Sequence, residues 1–298
     1  MTNKILFSIL IGFTLTSCQK EDNSMLPTQG LSEQRSGQTQ GQTVAPTTFK
    51  QKLLLEMYST AGCATCPDAE LKYRNYAAQY PDRVYGVCVH TSDAMTSPQY
   101  SFLNSLFNIT VFASGSFNRL PYNGNVVLPK TAWASSGSVA SSLNKTAKCG
   151  LKISTAINGT MLSGTATVGF NQSLTGSYYM TIYLIEDSVT GTGSGYNQTN
   201  YYNAISTSPF YQMGNPIIGY NHNTVLRSVL TPAIGTPIAS AYIHSGGTFS
   251  KSFTIDVSSY DKPQLTVVAF INKAGSTSLL HEVMNAQRVK AGQTKNWD

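Results

Sequence analysis

The chain has 298 residues, a formal net charge of +6, only 11% charged residues, 17 tyrosines and five cysteines. That length accommodates about two domains of 100–150 residues. No run of Lys and Arg builds a nucleic-acid face, so nucleic acid is excluded as an expected partner, and the composition points to an extracytoplasmic β-rich protein rather than a cytosolic enzyme.

Residues 1–18 read as an export signal, with Lys4 as the positive start and Ile5 to Leu15 as an apolar run too short to span a bilayer. Leu15-Thr16-Ser17-Cys18 resembles the lipobox at which bacterial lipoproteins are cleaved and acylated. Cys18 is therefore expected to carry palmitate-type lipid. Several chains on it would hold firmly, since one alone binds a membrane with only about 10⁴ M⁻¹. Lys20-Glu21-Asp22, directly after, resembles the signal that sorts Bacteroidota lipoproteins to the outer face of the outer membrane. These motifs imply the outer membrane as a partner, reached through an N-terminal lipid, with the protein facing the cell exterior. Residues 19–48 contain hardly an apolar side chain and are expected to form a disordered tether. The mean reach of its Asn23 to Thr48 stretch is roughly 25–30 Å.

Residues 49–149 read as a thioredoxin-like α/β domain. Leu53 to Tyr58 is a buried strand, Ser59 to Gly62 a tight turn, and Pro67 to Tyr80 a helix stopped by Pro81. The pair Cys63 and Cys66 falls where strand hands over to helix. Free N–H groups there would stabilise a thiolate on Cys63, and no second C-x-x-C or paired His follows at zinc spacing. Arg83 to His90 reads as a second, central parallel strand, Ser97-Pro98 opens a short helix to about Phe107, Phe117-Asn118-Arg119-Leu120 begins a further strand, and Lys130 to Lys145 is a closing helix. His90 and Asp93 follow the C-terminal end of their strand, the edge where α/β sheets bind ligands, and come toward the C-x-x-C. There His90 is a candidate for proton transfer. Cys88, between Val87 and Val89, reads as a small buried apolar residue. The four cysteines beyond Cys18 allow three connectivities, between which spacing does not choose.

From Cys149 the periodicity changes to two, and residues 150–298 read as an antiparallel β-sandwich. Leu151 to Ile157 and Met161 to Phe170 form a hairpin with Asn158-Gly159 as its type I′ turn. Further strands are expected at Tyr178–Glu186, Val225–Leu230, Ser250–Val257, Gln264–Asn272 and Glu282–Val289. The long connection Asp187 to Asn223 carries Tyr196, Tyr201, Tyr202 and Tyr211, which read either as a binding surface for protein or glycan or as packing. His222, His244 and His281 lack metal spacing and read as structural or solvated, while Arg119 and Arg227 read as partners in local ion pairs or caps.

Taken together, Glu56 to Pro67, Phe117-Asn118-Arg119, Asn221 to Arg227 and Val267 to Ile271 resemble, behind the lipobox, the Omp28-related outer-membrane lipoproteins of Bacteroidota. The resemblance implies a two-domain α+β chain, a thioredoxin-like domain followed by a β-rich one, with an antigen- or adhesin-like binding role toward host or envelope protein or glycan. No cofactor or metal is implied beyond a Cys63–Cys66 disulfide. The competing reading is a thiol-disulfide oxidoreductase in which Cys63 attacks and Cys66 resolves. Val111 to Ser116 offers no proline where such enzymes hold a cis-Pro. A non-proline cis bond costs about 2.5–4 kcal/mol, so a trans loop is expected.

Overall fold

The computed structural model describes residues 44–298, so the export signal, Cys18 and all of the tether ahead of Val44 lie outside the described residues. The near-continuous apolar run Leu53–Ser59 forms β1, buried along its whole length, and runs into α1 (Cys66–Gln79), where Pro67 sits in the first turn. β2 (Val84–His90) lies parallel to β1, α2 (Gln99–Phe107) follows, β3 (Ser114–Phe117) returns antiparallel to β1, and β4 (Leu128–Pro129) pairs with β3. With α3 (Ser138–Leu143) this gives the thioredoxin-like order β1α1β2α2β3β4α3.

Two expectations in this half are corrected. The strand expected from Phe117 instead ends there, because Asn118 and Arg119 both turn into the left-handed region, at φ 49° and 51°. The closing helix is broken: a 3₁₀ turn at Lys130–Ala132 and α3 are separated by Gly137 at φ 63°, a conformation that ends helical continuity.

Beyond residue 149, β5 (Cys149–Asn158) and β6 (Met161–Phe170) form the expected hairpin, but Asn158 still pairs with Met161. The turn is therefore Gly159-Thr160, with positive φ only at Gly159, the pattern of a II′ rather than a I′ turn. β7 (Tyr178–Glu186), β8 (Val225–Val229), β9 (Thr236–Ile238), β10 (Thr248–Asp256), β11 (Leu265–Lys273), β12 (Val283–Lys290) and β13 (Thr294–Lys295) complete the set.

The strands make two sheets. The larger has the order β12-β11-β7-β8-β2-β1-β3-β4, with β9 on β7; the smaller is β10-β6-β5-β13. The large sheet thus crosses residue 149: Cys88 of β2 is paired with Val225 of β8. Alternation along the strands sorts side chains between its faces. Leu54, Tyr58, Val87, Val89, Tyr183, Ile185, Val268 and Phe270 pack with Leu103 and Phe107 of α2 on one face. The other face is covered by α1 and α3 beside β1 and β2, and by the small sheet beside β7 and β11, where Leu151, Ile153, Val168 and Phe170 meet Ile182, Leu184, Val267 and Ile271.

One charge sits within β1. Glu56 is fully buried and takes two 2.7 Å hydrogen bonds from Arg119, itself buried between the rings of Phe107 and Phe270. The partner of Arg119 is thus 63 residues away rather than local. Arg227 pairs with Glu186 at 3.1 Å.

At the opposite end of β1 from the C-x-x-C, the chain is clasped to its C-terminal segment. Phe49 stacks obliquely on Trp297, Lys52 pairs with Asp298, and Asn285 donates to the Lys50 carbonyl.

Candidate functional site

The β1–α1 junction places Cys63 and Cys66 together, joined by a disulfide and only 8% and 5% exposed. The parallel register sets Met57 beside Cys88 and Ser59 beside His90. Cys88 and His90, two apart on β2, therefore point to the same face, beneath the start of α1. Cys63, Cys66 and Cys88 share one core cluster.

Beyond His90, Ser97 donates its backbone N–H to the His90 carbonyl and the chain doubles back, bringing Asp93 to its histidine. His90 Nδ1 lies 2.7 Å from Asp93 Oδ2. That carboxylate also accepts the backbone N–H groups of Ala61 (2.7 Å) and Met95 (2.9 Å). Burial opposes the Asp93 charge, but His90 and these donors outweigh it and hold the carboxyl below its ordinary range. An ionised carboxylate only accepts, so Nδ1 carries a proton and donates. Nε2 is the ring atom left over, in the cavity that His90 and Cys88 line together. Burial works against the imidazolium; Cys88 and Asp93 prevail and raise its pKa.

The long connection Asp187 to Asn223 closes over this junction. Gln198, itself buried, donates to the carbonyls of Cys63 (2.7 Å) and Ala61 (3.1 Å). Thr199 N–H bonds the Ala61 carbonyl and Tyr201 N–H the Ala64 carbonyl, each at 2.9 Å. Further along, His222 stacks edge-on against His90 with centroids 5.4 Å apart. Its Nε2 donates to the Tyr196 carbonyl at 2.8 Å, and burial depresses its pKa to about 4. Glu70 of α1 accepts from Tyr220 and Asn223, both at 2.8 Å, while burial pushes its carboxyl above the usual range. Cys66, Cys88, His90, Glu70, Tyr220 and His222 line a cavity of about 20 Å³, room for roughly one water.

The two faces of the long connection differ. Phe210, Ile217 and Tyr220 pack inward with Tyr202, whose hydroxyl meets Lys130 at 2.7 Å, and Tyr196 is half-buried. Tyr201 and Tyr211 are 64% and 40% exposed, and Met213 and Ile218 of the same connection are exposed too.

Sequence reasoning brought His90 and Asp93 to the C-x-x-C, and the structure places them there. It missed Glu70, Gln198, Tyr220 and the approach of His222 to His90, for which no local spacing gives a signal. Cys88 and Cys149 are both free thiols, and they sit in different core clusters. The loop expected to be trans contains a cis Phe112–Ala113 peptide. The expectation weighed only the amide's own preference, whereas Ala113 is buried, its carbonyl accepts from Lys130 N–H at 3.0 Å, and Ser114 Oγ bonds the Val111 carbonyl at 2.7 Å. Among the described residues no three or more acidic, His or Cys side chains group as a metal site, and no helix is long and apolar enough to cross a membrane.

Compared with known proteins, no curated protein matches the chain. Among solved structures, HBP35 of Porphyromonas gingivalis shares the fold, with a TM-score of 0.65 at 16% identity over 82% of this chain and 76% of that one. An Agrobacterium tumefaciens protein solved by X-ray crystallography gives a TM-score of 0.49 at 11% identity over 84% of this chain and 98% of its own. The family described as outer membrane protein Omp28 matches residues 101–295, from within α2 to the last strand, including the covering loop but not the C-x-x-C. Since that match takes in well over half of the sequence, the chain belongs to the Omp28 outer membrane protein family.

Proposed function

We propose that this chain is a lipid-anchored outer-membrane protein, displayed toward the exterior, that binds envelope or host protein or glycan through the outward face of the Asp187 to Asn223 connection. The observation that carries this reading is the position of that connection: its inner side is hydrogen-bonded to Ala61, Cys63 and Ala64. The connection thus covers the backbone on one side of the disulfide. Its outer side offers Tyr201, Tyr211 and Met213 to solvent, aromatic and sulfur-bearing groups of the kind enriched at protein interfaces, together with the aliphatic Ile218. The anchor rests on the sequence, where Cys18 ends the export signal and Lys20-Glu21-Asp22 supplies the address.

Protease shaving of intact cells, combined with binding of labelled protein to host cells and glycan arrays, tests the reading. Cys18→Ala should release the protein from the membrane. Neutralising Lys20, Glu21 and Asp22 together should leave it lipidated but protected from protease, and Tyr201→Ser with Tyr211→Ser should lower binding without unfolding. Unchanged accessibility in the triple variant would refute surface display. Turnover of a standard disulfide substrate at thioredoxin-like rates would favour the oxidoreductase reading instead.

A further inference from the structure

The disulfide has a second neighbour that this reading leaves unused. Cys88 is a buried thiol on the inner side of the C-x-x-C, in one cluster with Cys63 and Cys66 and lining one cavity with Cys66 and His90. His90, two residues along the same face of β2 and lining the same cavity, is oriented by Asp93 through Nδ1, at 2.7 Å, which leaves Nε2 as the acceptor. A cysteine, a histidine that can take its proton, and a carboxylate that fixes the histidine are the parts of an activated nucleophile. The electrophile is beside it: Cys66, not Cys63, lines the shared cavity.

We propose that Cys88, with His90 as base and Asp93 as the residue that positions it, is a third redox cysteine that exchanges with the Cys63–Cys66 disulfide inside the protein. The Cys88 proton passes to His90 Nε2. The Cys88 sulfur attacks Cys66 Sγ, a Cys66–Cys88 bond forms, the Cys63–Cys66 bond breaks, and Cys63 leaves as the thiolate. One disulfide is exchanged for another and no outside oxidant or reductant enters. The step needs no access from solvent, so it holds whether or not the covering loop admits a substrate. Its product would put the free thiol on Cys63.

The test uses the mature protein with Cys63→Ser, which leaves Cys66 and Cys88 as the candidate pair. Treated with oxidised glutathione at pH 7, quenched by alkylation and mapped by mass spectrometry, it should yield a Cys66–Cys88 cross-linked peptide while Cys149 remains a free thiol. A product that stops at Cys66 glutathionylation, with Cys88 still alkylatable, would overturn the proposal. Adding His90→Asn should slow closure by about 100-fold at pH 7, the lower end of what a positioned base supplies. Raising the pH, so that hydroxide stands in for the missing base, should recover much of that loss. The other titratable groups around the cavity, Glu70, Tyr58, Tyr220 and His222, are unchanged in both proteins. A loss that pH does not recover would count against His90 as the base and mark it as structural. Circular dichroism of each variant identifies any that fails to fold, and Cys88→Ser added to Cys63→Ser must abolish the cross-linked peptide.

Discussion

Cys149 and Cys88 are both buried free thiols, one in the core between the two sheets and the other beneath the C-x-x-C. Around Cys149 the cluster is aliphatic and aromatic, and burial alone pushes its thiol up to about 12. Around Cys88 stand a hydrogen-bonded histidine, a disulfide, and a cavity reached by Glu70, Tyr220 and His222. Two buried thiols therefore stand in different surroundings, one apolar and one among polar groups that each need a partner. The inter-sheet region is held by shape and apolar area; the region around the disulfide depends on named pairs, and the variants that separate the two remove such pairs.

The largest effect should come from Arg119→Met. It leaves the fully buried Glu56 carboxyl without its cation, and should lower unfolding free energy by about 3–5 kcal/mol in urea titrations. Ile182→Val, which only trims the inter-sheet core, should cost about 0.5–1.5 kcal/mol. If Arg119→Met is as mild as Ile182→Val, the contrast fails.

Next comes acid sensitivity. His222 titrates near 4 in the folded chain and near 6.5 when unfolded. Above about 6.5 it is neutral in both states and makes no difference; as pH falls from there toward 4 the unfolded state takes up the proton first, and roughly 3 kcal/mol of stability is lost. Glu70, raised by burial, slopes the other way on the acid side, so the histidine is read from the difference between wild type and His222→Asn. His90, raised instead, loses its contribution only as pH climbs above about 6.5. Thermal melts at pH 7 and pH 4 should show the variant losing less than wild type.

A smaller change is expected from removing the disulfide. Its ring spans a sequence separation of three, so Cys63→Ala with Cys66→Ala should cost about 2 kcal/mol by loop entropy. A much larger loss would show that the covering loop needs the cross-link in order to dock. The smallest is Tyr201→Ser, exposed on the outer face, which should stay within about 0.5 kcal/mol of wild type.

The parts of this molecule that were legible in sequence are those decided locally. The apolar run of β1, Pro67 in the first turn of α1 and the alternation through β5 and β6 each carry their own signal within a dozen residues. The helix expected over Lys130 to Lys145 failed where a breaker, Ser135-Ser136-Gly137, was outvoted by the apolar spacing of Trp133, Val139 and Leu143. Glu56 with Arg119, and the cluster of Glu70, His90, Gln198 and His222, could not be read at all. Glu56 and Arg119 meet through the antiparallel pairing of β1 with β3, the others only when β2 joins β8 and the long connection folds back, and no periodicity records either.

The clasp of Phe49 and Lys52 on Trp297 and Asp298 bears on how the molecule would take a mechanical load. β1 runs from that clasp toward the disulfide through seven residues, about 23 Å at ~3.3 Å each. Traction applied through the N-terminal side of the chain would enter at the clasp and be resisted there, with β1 held in shear between β2 and β3. The disulfide end lies beyond that grip, so a protein tugged on from its N-terminal side would keep Cys63, Cys66 and Cys88 in register until the clasp itself gave way.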